Sequence, residues 1–252
     1  MEAVLYVSHG SRKKQAKEEA IHFLNLVQRQ VNCELSHICF LELADPDVLE
    51  GIRKLVEKGA DRIVIIPVLL LSAGHYFKDI PHEMEKAESI YPDISITYGQ
   101  TLGVQERITD VLVDRLKELP TEMDESANVL LVGRGSRHPD TKTSIEWIAG
   151  VLREKGRIQQ IQTCYLAALS PRFPDAFEES LSNYSKTIVV PYLWFTGLLY
   201  DSLEKSVANA KEKGHHVYLA SYLNDHPNMV QSLVDRVNQA LSKGVEEERI
   251  VK

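Results

Sequence analysis

The chain has 252 residues, a formal net charge of −7 and a pI of about 5.7. That length allows a substantial core in one large domain or two lobes, and the net acidity argues against non-specific nucleic-acid binding. The longest apolar run, residues 63–71, contains Pro67 and is far shorter than the roughly 20 residues of a membrane helix. We therefore expect neither nucleic acid nor a membrane as a partner.

The three cysteines, Cys33, Cys39 and Cys164, are widely separated and match neither a zinc motif nor a disulfide framework. The N-terminus enters a predicted strand directly, without a secretion signal. These features favour a cytoplasmic protein in which each cysteine is a small buried apolar side chain.

Strand-like apolar runs alternate with amphipathic helical patterns through the first 119 residues. The predicted strands are 3–8, 34–41, 61–71 and 94–98, and the predicted helices are 13–31, 47–58, 79–91 and 104–119. Pro46 and Pro81 suit first helical turns, and Asp79 is a candidate N-cap of the third helix.

A polar, acidic segment at 120–126 is the predicted linker, and the pattern then repeats. The second set of strands is 128–132, 159–166, 187–195 and 216–221, and its helices are 139–155, 173–181, 198–213 and 227–241. The predicted domains are therefore an N-terminal lobe, 1–119, and a C-terminal lobe, 127–252.

This alternation predicts the α/β class: two similar lobes from an internal duplication, each a parallel sheet of about four strands flanked by helices. We choose the doubly wound strand order 2-1-3-4. That order opens a crevice at the carboxyl ends of strands 1 and 3, where ligands bind in such sheets.

Three metal-ligating side chains follow the first three predicted strands: His9, Glu42 and His75. In the order 2-1-3 they converge on one rim. Two imidazoles and a carboxylate suit Fe²⁺, Co²⁺, Ni²⁺ or Zn²⁺, whereas Mg²⁺ and Ca²⁺ prefer oxygen ligands.

The internal repeat supplies a control for this interpretation. The sequence VLYVSHGSR, residues 4–12, returns as VLLVGRGSR, residues 129–137. In the second copy the three candidate ligands are replaced by Arg134, Ala167 and, with a one-residue gap, Leu198. Because the scaffold pattern is kept while the ligands are not, the three residues are better explained by metal binding than by folding.

The repeated loops are also locally cationic in an acidic protein, which suggests a polyanionic ligand between the lobes. The candidate substrate-binding residues are Ser11, Arg12, Arg134, Ser136 and Arg137. Solvated helix starts, or an anion cradled by backbone N–H groups, explain these loops about equally well. The aromatic group Tyr192, Trp194, Phe195 and Tyr200 suits either a core or stacking on a flat ligand.

Four motifs together resemble the class II tetrapyrrole chelatases: YVSHGSR at 6–12, FLE at 40–42, IPVLLLSAGH at 66–75 and GRGS at 133–136. The members that act on sirohydrochlorin are the most similar. The resemblance covers nearly the whole chain and implies two α/β lobes, a tetrapyrrole cleft between them and no ATP requirement. Its metal-binding residues match His9, His75 and Glu42, and Gly74 stands where some relatives have Ala.

The resemblance implies insertion of Fe²⁺ into sirohydrochlorin to give siroheme, with the metal as substrate and no organic cofactor. In this hypothesis His9, His75 and Glu42 are catalytic: they present the ion, and one imidazole accepts pyrrole protons.

Other functions stay open at this point. They are Co²⁺ or Ni²⁺ insertion, a non-catalytic metal carrier or sensor, and phosphoryl transfer with His9 as nucleophile. A monomer and a homodimer are equally compatible with the sequence.

Overall fold

The computed structural model describes residues 1–122 and 124–250, with side chains described as far as residue 243. Met123, in the predicted linker, lies outside the described residues. The first repeat contains β1 (Glu2–Ser8), α1 (Lys14–Gln28), β2 (Leu35–Phe40), α2 (Val48–Glu57), β3 (Arg62–Val68), a π-helical turn (His75–Asp79), α3 (Ile80–Ile90), β4 (Ser95–Tyr98) and α4 (Glu106–Lys117). The second contains β5 (Ala127–Gly133), α5 (Asp140–Gly156), β6 (Gln160–Tyr165), α6 (Phe173–Asn183), β7 (Lys186–Tyr192), α7 (Leu198–Glu212), β8 (His216–Leu219) and α8 (Pro227–Ile250).

Each repeat forms a four-stranded sheet in which every strand pair is parallel. The orders are β2-β1-β3-β4 and β6-β5-β7-β8, so the predicted order is confirmed in both repeats. Val7 pairs with Cys39 on one side and Pro67 on the other. The carboxyl ends of β1, β2 and β3 therefore lie side by side at one edge.

The central strands form the cores because helices cover both faces of a parallel sheet. In the first sheet, Leu5, Val7 and Ile65 pack with Ile52 and Leu55 of α2, all of them buried. The second core has the same construction, with buried apolar residues of β5 and β7 packed on α6 and α7: Leu130, Val132, Val189, Phe173, Phe177, Leu203 and Val207. The near-continuous apolar runs of these strands follow from burial on both faces.

The two compact units differ from the two sequence repeats because α4 and α8 each belong to the unit of the other repeat. One unit comprises Met1–Gly103 and the chain from Val230 onward, and the other comprises Val104–Met229. In the first unit, Arg236 of α8 donates to the Leu102 carbonyl at 2.8 Å. An amphipathic pattern specifies which face a helix buries, but it does not specify which sheet that face covers.

In the second unit, α4 is fixed by polar contacts. Arg115 donates to the carbonyls of Tyr222 and Leu223 at 3.0 and 3.1 Å. Lys155 of α5 contacts Asp110 at 2.6 Å. The predicted boundary at 120–126 therefore follows the sequence repeat, whereas α4 packs with α5 and with the loop after β8.

The start of α2 differs from the prediction. Pro46 lies outside the helix, and its carbonyl accepts a hydrogen bond from the Phe40 N–H at 2.9 Å. The helix begins at Val48, after Asp47, whose side chain accepts from the Glu50 N–H at 2.8 Å. The helix thus has a carboxylate N-cap, and Pro46 closes the preceding loop instead.

Among the described helices, none combines the length and apolar character that crossing a bilayer requires.

Glycines at equivalent positions allow the two loops of each repeat to touch. Gly10 and Gly135 have φ values of +92° and +85°, a region that other residues rarely adopt. A Cβ on Gly135 would lie 1.8 Å from the Ala167 carbonyl oxygen, and one on Gly10 would lie 1.8 Å from that of Glu42. Any side chain here would separate the loops.

We predict that Gly135→Ala is more destabilising than Gly214→Ala. Gly214 has a similar φ of +88° but nothing within 4 Å of its Cβ position, so it measures the backbone cost alone. That cost is about 1 kcal/mol, and Gly135→Ala should add at least about 1–2 kcal/mol for displacing the loop. Urea unfolding measures both variants, and equal midpoints would contradict the prediction.

Candidate metal site

Three loops of the first repeat bring the predicted metal ligands together. His9 follows β1, Glu42 follows β2, and His75 opens the π-helical turn after β3. One ligand atom from each residue lies within 4.8 Å of the other two. The predicted convergence of His9, Glu42 and His75 on one edge is therefore confirmed.

The contacts within this trio are close. His9 Nδ1 lies 3.4 Å from Glu42 Oε1, and the two imidazole rings are 4.6 Å apart at 70°. Two ligand atoms that each lie about 2.1 Å from one ion are at most about 4.2 Å apart. Side-chain movements of less than about 1 Å would therefore let all three residues bind the same ion. The histidine side chains are 29% and 25% exposed, which leaves an ion held here reachable from outside.

Backbone hydrogen bonds fix two of the three loops to each other. The Leu41 N–H donates to the Ser8 carbonyl at 2.8 Å, and the Glu42 N–H donates to that of His9 at 3.1 Å. These bonds continue the β1–β2 pairing past the end of the strands. Main-chain hydrogen bonds therefore hold the backbone of Glu42 beside His9, independently of the conformation of the Glu42 side chain.

Asp79 contacts His75 and does not have the N-cap role that the sequence predicts. Its side chain makes no capping bond and its backbone is helical, with φ −74° and ψ −47°. Its Oδ2 instead lies 2.7 Å from His75 Nδ1. The available signal was the spacing of four residues, which places two helical side chains on one face.

The second repeat keeps the scaffold without the ligands. Leu166 and Ala167 donate to the carbonyls of Gly133 and Arg134 at 3.0 and 2.9 Å, repeating the loop contacts of the first repeat. Leu198, the equivalent of His75, is 74% exposed. Within the described residues, no second group of three His, Cys, Asp or Glu side chains has this geometry.

The CbiX family model matches residues 3–119 and 128–240, which are the two sequence repeats. The chain belongs to the CbiX family. The chelatase resemblance proposed from the motifs is confirmed.

Curated relatives of this CbiX-family chain cover nearly its whole length. It is 39% identical over 243 residues to the sirohydrochlorin ferrochelatase of Priestia megaterium, covering 96% of this chain and 91% of that protein. It is 36% identical to the sirohydrochlorin ferrochelatase of Bacillus subtilis, covering 94% and 91%. A sirohydrochlorin cobaltochelatase of P. megaterium is 32% identical, covering 96% and 80%.

Solved structures agree with this assignment. SirB from B. subtilis with Fe³⁺ matches with a TM-score of 0.84 at 37% identity, covering 96% of this chain and 97% of that one. A SirB structure in complex with cobalt matches with a TM-score of 0.81 at 37% identity, covering 95% and 94%.

Two of the predicted substrate-binding residues of this CbiX-family chain have local structural contacts. Ser11 Oγ accepts from the Lys13 N–H at 3.1 Å, and Ser136 Oγ accepts from the His138 N–H at 3.1 Å. Both hydroxyls therefore stabilise the turns that precede α1 and α5. Arg12, Arg134 and Arg137 are exposed, and a role for all five residues in substrate binding stays a prediction.

The aromatic group named in the sequence analysis belongs mainly to the interior. Tyr192 and Trp194 are buried, and Trp194 stacks on Phe195 at 5.5 Å. Exposed apolar side chains lie instead beside the trio: Leu43, 47% exposed, follows Glu42, and Phe77, 50% exposed, is two residues from His75. Neither residue belongs to a sequence pattern that predicts ligand binding.

The cysteines take no part in the metal trio. Cys39 and Cys164 are buried, as expected, whereas Cys33 is only partly buried. Burial raises the pKa of the Cys164 thiol to about 12 and raises that of Cys39 further still. These two thiols stay protonated in the folded protein at neutral pH.

We predict that Cys39 and Cys164 do not react measurably with a thiol reagent at pH 8 in the native protein. A pKa near 12 leaves a thiolate fraction of about 10⁻⁴ at that pH. In denaturant all three cysteines should react, with rates that level off above about pH 9. Mass spectrometry of the labelled sites measures this, and rapid native labelling of Cys164 would contradict it.

Proposed function

We propose that this protein is a sirohydrochlorin ferrochelatase, which inserts Fe²⁺ into sirohydrochlorin to give siroheme without ATP. The observation that carries the proposal is the convergence of His9, Glu42 and His75 at one sheet edge. Identities of 36–39% with two ferrochelatases over nearly the full length support it.

In this proposal the trio holds the incoming metal substrate before transfer. Two imidazole nitrogens and one carboxylate oxygen form a borderline ligand set that leaves coordination positions open. The pyrrole nitrogens then take those positions. Because the ligands are neutral imidazoles and one carboxylate, the ion is bound firmly enough to lose water yet can still leave.

Metal insertion requires a proton acceptor as well as a metal site. Fe²⁺ replaces two pyrrole N–H protons, so two protons leave the macrocycle for each ion that enters. We propose that His9 or His75 accepts one of them on the nitrogen that its breaking bond to the metal frees, and that the other histidine or solvent water takes the second, since an imidazole can exchange protons near neutral pH. Glu42 balances part of the charge of the ion while it is held.

The macrocycle would meet both apolar and cationic groups. Leu43 and Phe77, close in sequence to Glu42 and His75, have exposed apolar side chains, which suit the face of a flat conjugated ring. Sirohydrochlorin carries eight carboxylates. We propose that Arg12, Arg134 and Arg137, supported by the turns of Ser11 and Ser136, attract them.

The choice of metal in this proposal is Fe²⁺. The same donor set accepts Co²⁺ and Ni²⁺, because affinity at N/O sites rises along the first-row series. The similarity to a cobaltochelatase, at 32% identity, favours cobalt insertion as the second candidate. We further propose that the reaction takes place in the cytoplasm, where Cys33, Cys39 and Cys164 stay reduced, and that it uses no organic cofactor.

We predict that His9→Ala, His75→Ala and Glu42→Gln each slow Fe²⁺ insertion by about 100-fold or more. Loss of a ligand and of a proton acceptor removes both functions of the site. Anaerobic absorbance spectroscopy of sirohydrochlorin follows the reaction, and parallel assays with Co²⁺ and Ni²⁺ rank the metals. His82→Ala, an exposed histidine on α3, is the matched control.

Two outcomes would contradict the assignment. Wild-type rates in His9→Ala or His75→Ala would remove that residue from the mechanism. A wild-type protein that binds the metal but shows no insertion would instead be a carrier or sensor.

We predict that Arg12→Gln and Arg134→Gln raise the KM for sirohydrochlorin by about two- to fivefold and leave kcat nearly unchanged. An exposed charge contributes about 1 kcal/mol or less to binding, and salt screens that contribution. Steady-state kinetics at low and high ionic strength measure the effect. Lys211→Gln, on α7, is the control for net charge, and an equal effect there would show that the change is non-specific.

A further inference from the structure

We propose that Asp79 is a positioning residue that fixes the tautomer and orientation of His75 for metal binding. The proposal deepens the function proposed above and rests on it. It comes from a carboxylate–imidazole contact that the cap role expected from the sequence does not explain.

The contact with Asp79 indicates which nitrogen of His75 stays available to a metal. Asp79 Oδ2 lies 2.7 Å from His75 Nδ1, a short distance typical of a charge-assisted hydrogen bond. A carboxylate only accepts, so Nδ1 must carry the proton. Nε2 is then the free lone pair, and His75 is presented to the trio through that atom.

Such carboxylate–histidine pairs commonly orient metal ligands and make them more basic. An imidazole fixed in this way does not have to change tautomer or rotate when the ion arrives. Asp79 would therefore increase metal affinity without touching the metal. Its carboxylate is half-exposed, and the helical turn rather than burial holds it in place.

The pair lies in a π-helical turn. The Ile80 N–H donates to the His75 carbonyl, five residues earlier, which widens the helix at the point where His75 and Asp79 lie. Pro81 has no N–H and would crowd the Phe77 carbonyl in a regular α-helix, which favours the wider turn. Single π-turns are frequent at functional sites.

The second repeat again acts as a control. There the equivalent helix, α7, begins as an ordinary α-helix at Leu198, and the residue four positions later is Ser202. The wide turn and the histidine are therefore missing from α7, and its first-turn carboxylate, Asp201, lies three positions after Leu198 instead of four. A structural requirement of the fold would have kept the turn in both copies.

Nitrogen NMR of ¹⁵N-histidine protein tests the tautomer without metal or macrocycle, with the His75 signal assigned by its loss in His75→Ala. In spectra that show neutral imidazole, the wild-type protein should display protonated Nδ1. Asp79→Ala should shift the equilibrium toward protonated Nε2. Asp79→Asn should largely keep the wild-type tautomer, because its Oδ1 still accepts from Nδ1–H.

Titration with Co²⁺ measures the consequence for the site. Asp79→Ala should raise the Kd for Co²⁺ about 10- to 100-fold, and Asp79→Asn should raise it less. Glu83→Ala is the matched control, since Glu83 is one turn along α3 and pairs with Lys86 at 2.7 Å. It should change neither the tautomer nor the affinity.

An Asp79→Ala protein with the wild-type tautomer and wild-type Co²⁺ affinity would overturn the positioning role. Neither measurement uses sirohydrochlorin, so a failure of the chelatase proposal would appear only in the insertion assay. The two proposals can therefore fail independently.

Discussion

Parallel pairing of β1 with both β2 and β3 is the constraint on which the candidate site depends. Val7 pairs with Cys39 on one side and with Pro67 on the other, so three strands end at one edge. The ends are followed by His9, Glu42 and His75, which come one, two and seven residues later. Main-chain hydrogen bonds from Leu41 and Glu42 to the β1 loop extend that pairing and hold two of the three loops together.

The duplication separates what the scaffold needs from what the site needs. Both repeats keep a glycine at positive φ, closely approached by a neighbouring carbonyl, and the same pair of loop hydrogen bonds. The second repeat lacks the metal trio and begins α7 without a π-turn. The features that both repeats share therefore serve the fold. The features found only in the first repeat are the candidates for a chemical function.

Metal insertion demands a site that binds and then releases its ion. The trio satisfies this demand physically, because it offers few ligands, partial exposure and a carboxylate that is exposed enough to move. In the proposed mechanism, the Asp79 contact would order His75, and a fixed lone pair would lower the cost of metal binding.

The sequence by itself determined the α/β class, the duplication and the identity of the trio. Apolar runs of buried parallel strands and the repeated VSHGS and VGRGS loops carry that information locally. The strand order was one choice among the orders that such a pattern allows, and the tertiary structure decided it. Only the tertiary structure decided that α4 and α8 pack away from their own sequence halves, and that Asp79 contacts His75 instead of capping α3. A periodic pattern fixes the buried face of a helix but not the surface it meets. Residue spacing in the sequence does not predict a π-helical turn, because that turn depends on tertiary packing.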